Sequence, residues 1–221
     1  MNLRSNSDNQ HKLLEIRSLT ESTYVLKMER RGLAFRTGQH ILLGEAGSIH
    51  SREYSIYSGE QDDFFEVLIK EVEDGMVSRQ LKKLKKDDKL AIEGPLGFFT
   101  IEPELVNTAK FLFVATGTGI APFHSISRSY PHLNYHLLHG VRKAEEAYES
   151  THYPSEKYTL CTSQDGKGDF QGRVTAYLSQ NPVSKDTHCY LCGNFEMINE
   201  AFDILEKQGV PPRQVHAEVY F

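Results

Sequence analysis

Residues 110–123 read K-F-L-F-V-A-T-G-T-G-I-A-P-F: a short apolar run, two glycines one residue apart, then a proline. The run has the length of a buried strand, and Pro122 suits the first turn of a helix, where its missing N–H is not needed. A strand that turns through glycines into a helix brings backbone N–H groups and the positive end of the helix dipole toward an anion. A dinucleotide pyrophosphate is the guest that this arrangement suits. The ordinary G-x-G-x-x-G fingerprint is broken, however, because Pro122 stands where its third glycine belongs. On this motif alone, a tight strand-to-helix turn without a ligand is an equal reading.

Beyond the turn, Y-H-L-L-H-G (135–140), Y-T-L-C-T-S (158–163), H-C-Y-L-C-G (188–193) and Q-V-H-A-E-V-Y-F (214–221) are compact apolar-rich runs with helix-length intervals between them. That pattern predicts a parallel α/β sheet. Before the turn the period differs. Residues 12–19, 22–29, 39–44, 51–58, 63–72 and 88–94 are short β-like runs at close spacing, which predict an antiparallel barrel or sandwich. One helix interrupts them, with Leu81 and Leu84 as its buried edge and Lys82, Lys83, Lys85 and Lys86 on a solvated face. A polar hinge, E-P-E-L-V-N-T-A-K at 102–110, separates the halves. The expected boundaries are a disordered polar tail at 1–10, a β domain at 11–104 and an α/β domain at 105–221.

Composition sets outer limits. The 221 residues carry a net charge of -5 and 39% hydrophobic residues, so nothing points to nucleic acid or an anionic membrane surface. No run approaches the ~18 apolar residues of a membrane span, and the start lacks the apolar region of a secretory signal. A cytoplasmic protein is expected. Cys161, Cys189 and Cys192 are too few for a disulfide framework. Cys189 and Cys192 form a C-x-x-C, but further ligands at suitable spacing are missing and no metal is expected.

Ser51 to Ser58, S-R-E-Y-S-I-Y-S, is an awkward strand. Strict alternation would put Arg52, Tyr54 and Ile56 on one face and Glu53, Ser55 and Tyr57 on the other, and neither face is a good core. A polar, flat, anionic ligand would suit Arg52, Tyr54 and Ser55 together.

R-E-Y-S (52–55), G-M-V-S (75–78), G-P-L-G-F-F (94–99), G-T-G-I-A-P (117–122), L-C-G-N-F-E-M (191–197) and the closing A-E-V-Y-F together resemble the ferredoxin-NADP reductase family, in family order along essentially the whole chain. H-G-V-R (139–142), followed by Glu146 and Tyr148, is similar to its bacterial branch. The resemblance implies a two-domain fold: a flavin-binding antiparallel β-barrel, then an α/β domain whose five-stranded parallel sheet holds NADP(H). FAD is the flavin it implies. Arg52 would neutralise the flavin pyrophosphate, beside Glu53; Tyr54 would lie against the isoalloxazine, and Ser55 would hydrogen-bond near flavin N5. Guanidinium forks do match phosphate, and a phenol can stack while its hydroxyl stays wet. Gly75, Met76, Val77 and Ser78 would form the second phosphate site, and Leu68, Ile69 and Lys70 would offer backbone to the flavin ring.

On the nucleotide side the resemblance assigns Gly117, Thr118 and Gly119 to the pyrophosphate, with Thr118 serving the flavin as well. Cys192, Gly193, Glu196 and Met197 would line the nicotinamide approach. Glu218 would assist charge and proton movement, Tyr220 would cover the flavin, and Phe221 would pack beyond it. Ser55, Cys192, Glu218 and Tyr220 form the implied catalytic set. One departure concerns the 2′-phosphate. Many members carry an arginine after the third strand of this domain, whereas this chain reads Cys161-Thr162-Ser163-Gln164. Arg142, Arg173, Lys167 and Ser163 could take its place. Asp165 is the nearby acid that NADH use would favour.

The implied activity is electron transfer between NADPH and ferredoxin or flavodoxin, by a monomer or weak dimer. With no cysteine cluster for its own [2Fe–2S] centre, the carrier is expected to be a separate molecule. Two alternatives are an NAD(P)H reductase of free flavin or of an oxygenase partner, and a non-enzymatic nucleotide sensor on the same fold.

Overall fold

The computed structural model describes residues 10–220, so Phe221 and residues 1–9 of the expected tail lie outside the described residues. Gln10 is not tail: it opens the first strand, paired with Ala91. Along the chain run β1 (Gln10–Ser18), β2 (Thr23–Glu29), β3 (His40–Glu45), β4 (Arg52–Ser55), β5 (Phe64–Lys70), α1 (Met76–Lys83) and β6 (Lys89–Leu96). These are followed by β7 (Lys110–Thr116), α2 (Ala121–Ser129), β8 (Tyr135–Val141), β9 (Tyr158–Thr162), β10 (Phe170–Gln171), α3 (Val174–Gln180), β11 (Thr187–Gly193), α4 (Phe195–Lys207) and β12 (Val215–Val219). The chain forms two compact units, one comprising the chain through Thr100 with His124–Ser129, the other Ile101–Phe123 with Tyr130–Phe221.

In the first unit six antiparallel strands follow the order β4-β3-β6-β1-β2-β5. A bridge between Ile56, just past β4, and Val67 of β5 joins the two ends of that order. This closure removes strict alternation from Ser51–Ser58. The chain pairs with β3 only as far as Ser55; the Ile56 N–H then donates to Gln39 O at 2.9 Å and the Tyr57 N–H to Glu66 O at 2.7 Å. Where the chain crosses from one strand to the other it has no solvent face: Ser55, Ile56, Tyr57 and Ser58 are all buried, whereas Ser51, Arg52 and Glu53 before the crossing are exposed. The interior is filled from alternate positions of every strand, including Leu13, Leu26, Met28, Ile41, Leu43, Phe65, Val67, Leu90 and Ile92. Each such side chain contributes roughly 1.5–3 kcal/mol on burial. Helix α1 adds Val77 and Leu81, four apart on one face, while Leu84 caps its end in extended conformation. On its outer face Lys82 pairs with Glu71 at 2.5 Å, and Arg79 with the same carboxylate at 3.7 Å.

The second unit is a parallel sheet in the order β10-β9-β8-β7-β11-β12. The five expected runs are β7, β8, β9, β11 and β12. The sixth strand, β10, is two residues long; Phe170 and Gln171 add to the edge of β9, and Asp169 Oδ2 accepts from the Leu160 N–H at 2.8 Å. A two-residue addition held by one carboxylate has no hydrophobic period to announce it. One sheet face packs Leu112, Val114, Leu138, Cys189 and Leu191 against α3 and α4, whose Val174, Leu178, Ile198, Ala201 and Leu205 complete that core. The other face is aromatic: Phe113 stacks on Phe123 at 4.8 Å and on Tyr135 at 5.3 Å.

Candidate functional site

In the parallel sheet the chain order reverses around β7, with β8 and β9 on one side and β11 and β12 on the other. Open α/β sheets bind ligands outside the carboxyl ends of the strands at such a switch point. Gly117–Ile120 leaves β7 there as one 3₁₀ turn and passes directly into α2. The two glycines have different reasons. Gly117 sits at φ 54 with nothing within 4 Å of an added Cβ, so it is needed for its conformation. A Cβ on Gly119 would stand 2.7 Å from the Cys192 carbonyl carbon and 2.9 Å from Gly193 Cα, so it is needed for close packing on β11. The close approach to β11 is made at Gly119, while Pro122, in the place of the fingerprint's third glycine, lies in the first turn of α2. Neither the turn nor the first turn of α2 contains an acidic residue, which suits the positive end of a helix dipole to an anion.

Across the crevice, Cys192 is level with Ala115 on one side and Glu218 on the other. Its thiol is fully buried, and burial, reinforced by Glu218, pushes its pKa well above the ordinary value despite a hydrogen bond with Tyr220. A thiol held protonated is a small shaped wall and not a nucleophile. The Tyr220 N–H donates to Gly193 O at 2.8 Å and so continues β12 along the crevice. Thus Gly117, Thr118, Gly119, Cys192, Gly193, Glu218 and Tyr220 share one strand-end region. Glu196 is exposed on the first turn of α4. Met197 is not: its side chain is 6% exposed in the α3/α4 core, and its N–H donates to the Asn194 cap at 2.8 Å. Its expected place beside the nicotinamide is therefore open only to its backbone.

Arg142 and Ser163 follow the ends of β8 and β9, and Arg173 precedes α3; all three are exposed. The Ser163 hydroxyl donates to Val141 O at 3.3 Å. Asp165 accepts from the Ala144 N–H at 2.8 Å and the Lys167 N–H at 3.2 Å, and these bonds hold its carboxyl below the usual range.

In the barrel unit, Arg52 and Glu53 are exposed, Tyr54 is half-buried and Ser55 is buried. Among the described residues the only hydrogen bond of the Arg52 guanidinium is to its neighbour Ser51 O, at 2.9 Å. Burial pushes the Tyr54 phenol up to about 12, with Arg52 opposing. Tyr54 lies near enough to Tyr24 to raise its pKa further, and the Tyr24 hydroxyl donates to Ser78 O at 2.5 Å. Tyr24, which sequence reasoning missed, thus links the neighbourhood of β4 to the start of α1. That start, at Gly75, has no side-chain cap and no acid in its first turn; Met76 is exposed, Val77 is in the core, and the Ser78 hydroxyl donates to Gly75 O at 3.4 Å. Ile69 points into the barrel core, whereas Leu68 and Lys70 lie on the other face of β5, Leu68 buried and Lys70 exposed. Beyond the Val67 bridge no strand pairs with the side of β5 away from β2 among the described residues. An exposed guanidinium, an uncapped helix start and an open strand edge fit a diphosphate joined to a planar heterocycle.

Comparison with known proteins agrees. Residues 11–101 match the oxidoreductase FAD-binding domain and residues 113–203 the oxidoreductase NAD-binding domain. The electron transfer component of toluate 1,2-dioxygenase from Pseudomonas putida is 29% identical over 93% of this chain, which spans 65% of that protein's length. The flavodoxin/ferredoxin-NADP reductase of Buchnera aphidicola is 27% identical over 88% of this chain and 89% of its own. The fold is that of a ferredoxin NADP+ reductase from Neisseria gonorrhoeae, solved with FAD and NADP, at TM-score 0.82 and 24% identity over 96% of this chain and 98% of that one. No helix among the described residues is long and apolar enough to cross a membrane. The chain binds FAD and NAD(P) and belongs to the ferredoxin-NADP reductase family of oxidoreductases.

Proposed function

We propose that the protein transfers electrons between NADPH and a ferredoxin or flavodoxin. The observation that supports this reading is the strand-end region of β7 and β11, where the Gly117–Gly119 turn, with no acid in its own first turn, packs against Cys192, a buried thiol with Glu218 and Tyr220 alongside. Bound FAD supplies the exchange between two-electron and one-electron transfer. The chain's own groups bind and orient. Arg52 and the start of α1 neutralise the flavin diphosphate, Tyr54 gives a flat wall, and Ser55 offers a hydroxyl at the end of β4. The Gly117–Gly119 turn receives the nucleotide diphosphate. Cys192 supplies a close, uncharged surface for the nicotinamide, and Glu218 and Tyr220 place a carboxylate and a phenol beside it. Arg142, Arg173 and Ser163 are the groups available to a 2′-phosphate.

A second reading, reduction of an oxygenase partner, is favoured by the similarity to the toluate dioxygenase component over nearly the whole chain. The test is steady-state turnover of the purified protein with NADPH or NADH against ferredoxin, flavodoxin, an oxygenase component and free FMN, after identifying its bound flavin by absorbance and mass. Rapid reduction of ferredoxin or flavodoxin by NADPH supports the first reading. Turnover confined to the oxygenase component or free FMN removes it.

A further inference from the structure

We propose that His139 is the positioning residue of the NAD(P) turn, clamped between the Tyr158 hydroxyl and the Gly117 carbonyl so that the Thr118 N–H faces the nucleotide. This rests on the reading of Gly117–Gly119 as the pyrophosphate site. His139 lies in β8, wholly buried, with Nε2 3.0 Å from Gly117 O and Nδ1 2.9 Å from Tyr158 Oη. A carbonyl can only accept, so Nε2 carries the proton and Nδ1 accepts from the phenol. The phenol is itself fixed, since the Tyr158 ring stacks on Tyr153 at 5.3 Å with the planes 5° apart. Burial pushes the imidazole down to about 4, so the neutral tautomer persists at physiological pH.

The consequence follows from the planarity of one peptide bond. Gly117 O and the Thr118 N–H belong to the same trans unit and point in opposite directions. An oxygen held on the buried imidazole directs that N–H away from the sheet interior. Gly117, at φ 54 with nothing within 4 Å of an added Cβ, carries no side chain that would restrict rotation of this peptide. A flipped peptide would present carbonyl oxygen to an incoming phosphate, turning an attractive contact into a repulsive one. His139 prevents that flip without touching the ligand. It also explains a polar residue in the middle of the apolar run Y-H-L-L-H-G.

The test uses the purified holoprotein and four variants: His139→Leu, His139→Gln, Tyr158→Phe and Gly117→Val. NADP+ affinity is read from the flavin difference spectrum, with KM and kcat for NADPH measured on ferricyanide and bound FAD from absorbance. His139→Leu is expected to raise Kd and KM about tenfold, the loss of one or two buried hydrogen bonds, while kcat and FAD content change less than about twofold. His139→Gln, whose amide can reach the carbonyl, is expected to restore affinity to within about threefold, and Tyr158→Phe to weaken it about threefold. Wild-type affinity in His139→Leu, or equal losses in the Leu and Gln variants, overturns the inference. Should the Leu variant not fold, Tyr158→Phe decides: unchanged affinity overturns, weakened affinity with full FAD content supports. Gly117→Val separates the underlying reading. If it too leaves NADP+ binding intact, the pyrophosphate site is elsewhere; if it weakens binding while His139→Leu does not, only the positioning role falls.

Discussion

Gly119→Ala adds one methyl group where the structure has no room for it. The new Cβ would stand 2.7 Å from the Cys192 carbonyl carbon and 2.9 Å from Gly193 Cα, against an ordinary approach of about 3.5–4.0 Å. Both neighbours are backbone of a central strand, so no rotamer change can relieve the overlap. The turn must back away from β11 by about 1 Å, at a cost of roughly 1–3 kcal/mol. For a unit of this size that lowers Tm by about 4–12 °C. The kinetic effect should be larger, because a misplacement of about 1 Å can cost on the order of a hundredfold in rate. Expected are a kcat/KM for NADPH reduced about 30- to 100-fold on ferricyanide and an unchanged FAD content, since the barrel residues are untouched. Gly32→Ala is the control: it also sits at positive φ, 74, but meets nothing within 4 Å. It should lose stability through strain alone, about 1 kcal/mol, with NADPH kinetics intact. A Gly119→Ala enzyme with wild-type Tm and kcat/KM would refute the packing argument, and equal kinetic losses in both variants would refute its locality.

Further outcomes follow from other groups. His139 titrates at about 4 when folded and at 6.5 when unfolded, so between these values the unfolded chain binds more protons and stability falls with decreasing pH. Its share is fully present above pH 6.5 and amounts to about 3 kcal/mol lost by pH 4; urea titrations should show a shallower acid loss in His139→Gln, and parallel curves would contradict this. All three cysteines are buried with raised thiol pKa values, so the native protein should react slowly with a disulfide reagent at pH 8 and rapidly in urea; a fast native phase would contradict the burial of Cys192. Tyr24→Phe removes the bond to Ser78 O and should cost about 1 kcal/mol while weakening FAD retention, read as flavin released on dilution. Asn194→Ala uncaps α4 and should cost about 1 kcal/mol by thermal denaturation with FAD content unchanged.

The two halves were legible because their hydrophobic periods differ. Short runs at close spacing before residue 100 and strand-plus-helix spacing after residue 110 each correspond to one sheet. The glycine turn was legible as strand, turn and helix start, although its local pattern could not say that Gly119 serves packing while Gly117 serves conformation. Met197 illustrates the limit: position along L-C-G-N-F-E-M places it next to the crevice, but the 3.6-residue period of α4 turns its side chain into the core. Tyr24 and His139 left only faint signals, a buried phenol and a histidine inside an apolar strand, and each acts through a partner 54 or 22 residues away.

By itself, then, the amino-acid order determined which segments are strands and helices, where the backbone turns through glycine, and which residues carry charge or a ring. Those are local properties, set by side-chain period and by the conformational freedom of each residue. Tertiary structure decided the rest: closure through Ile56 and Val67, the reversal of order at β7, the burial that keeps the Cys192 thiol protonated, and the clamp on Gly117. Each depends on groups brought together from distant parts of the chain, and burial and hydrogen-bond geometry exist only once they meet.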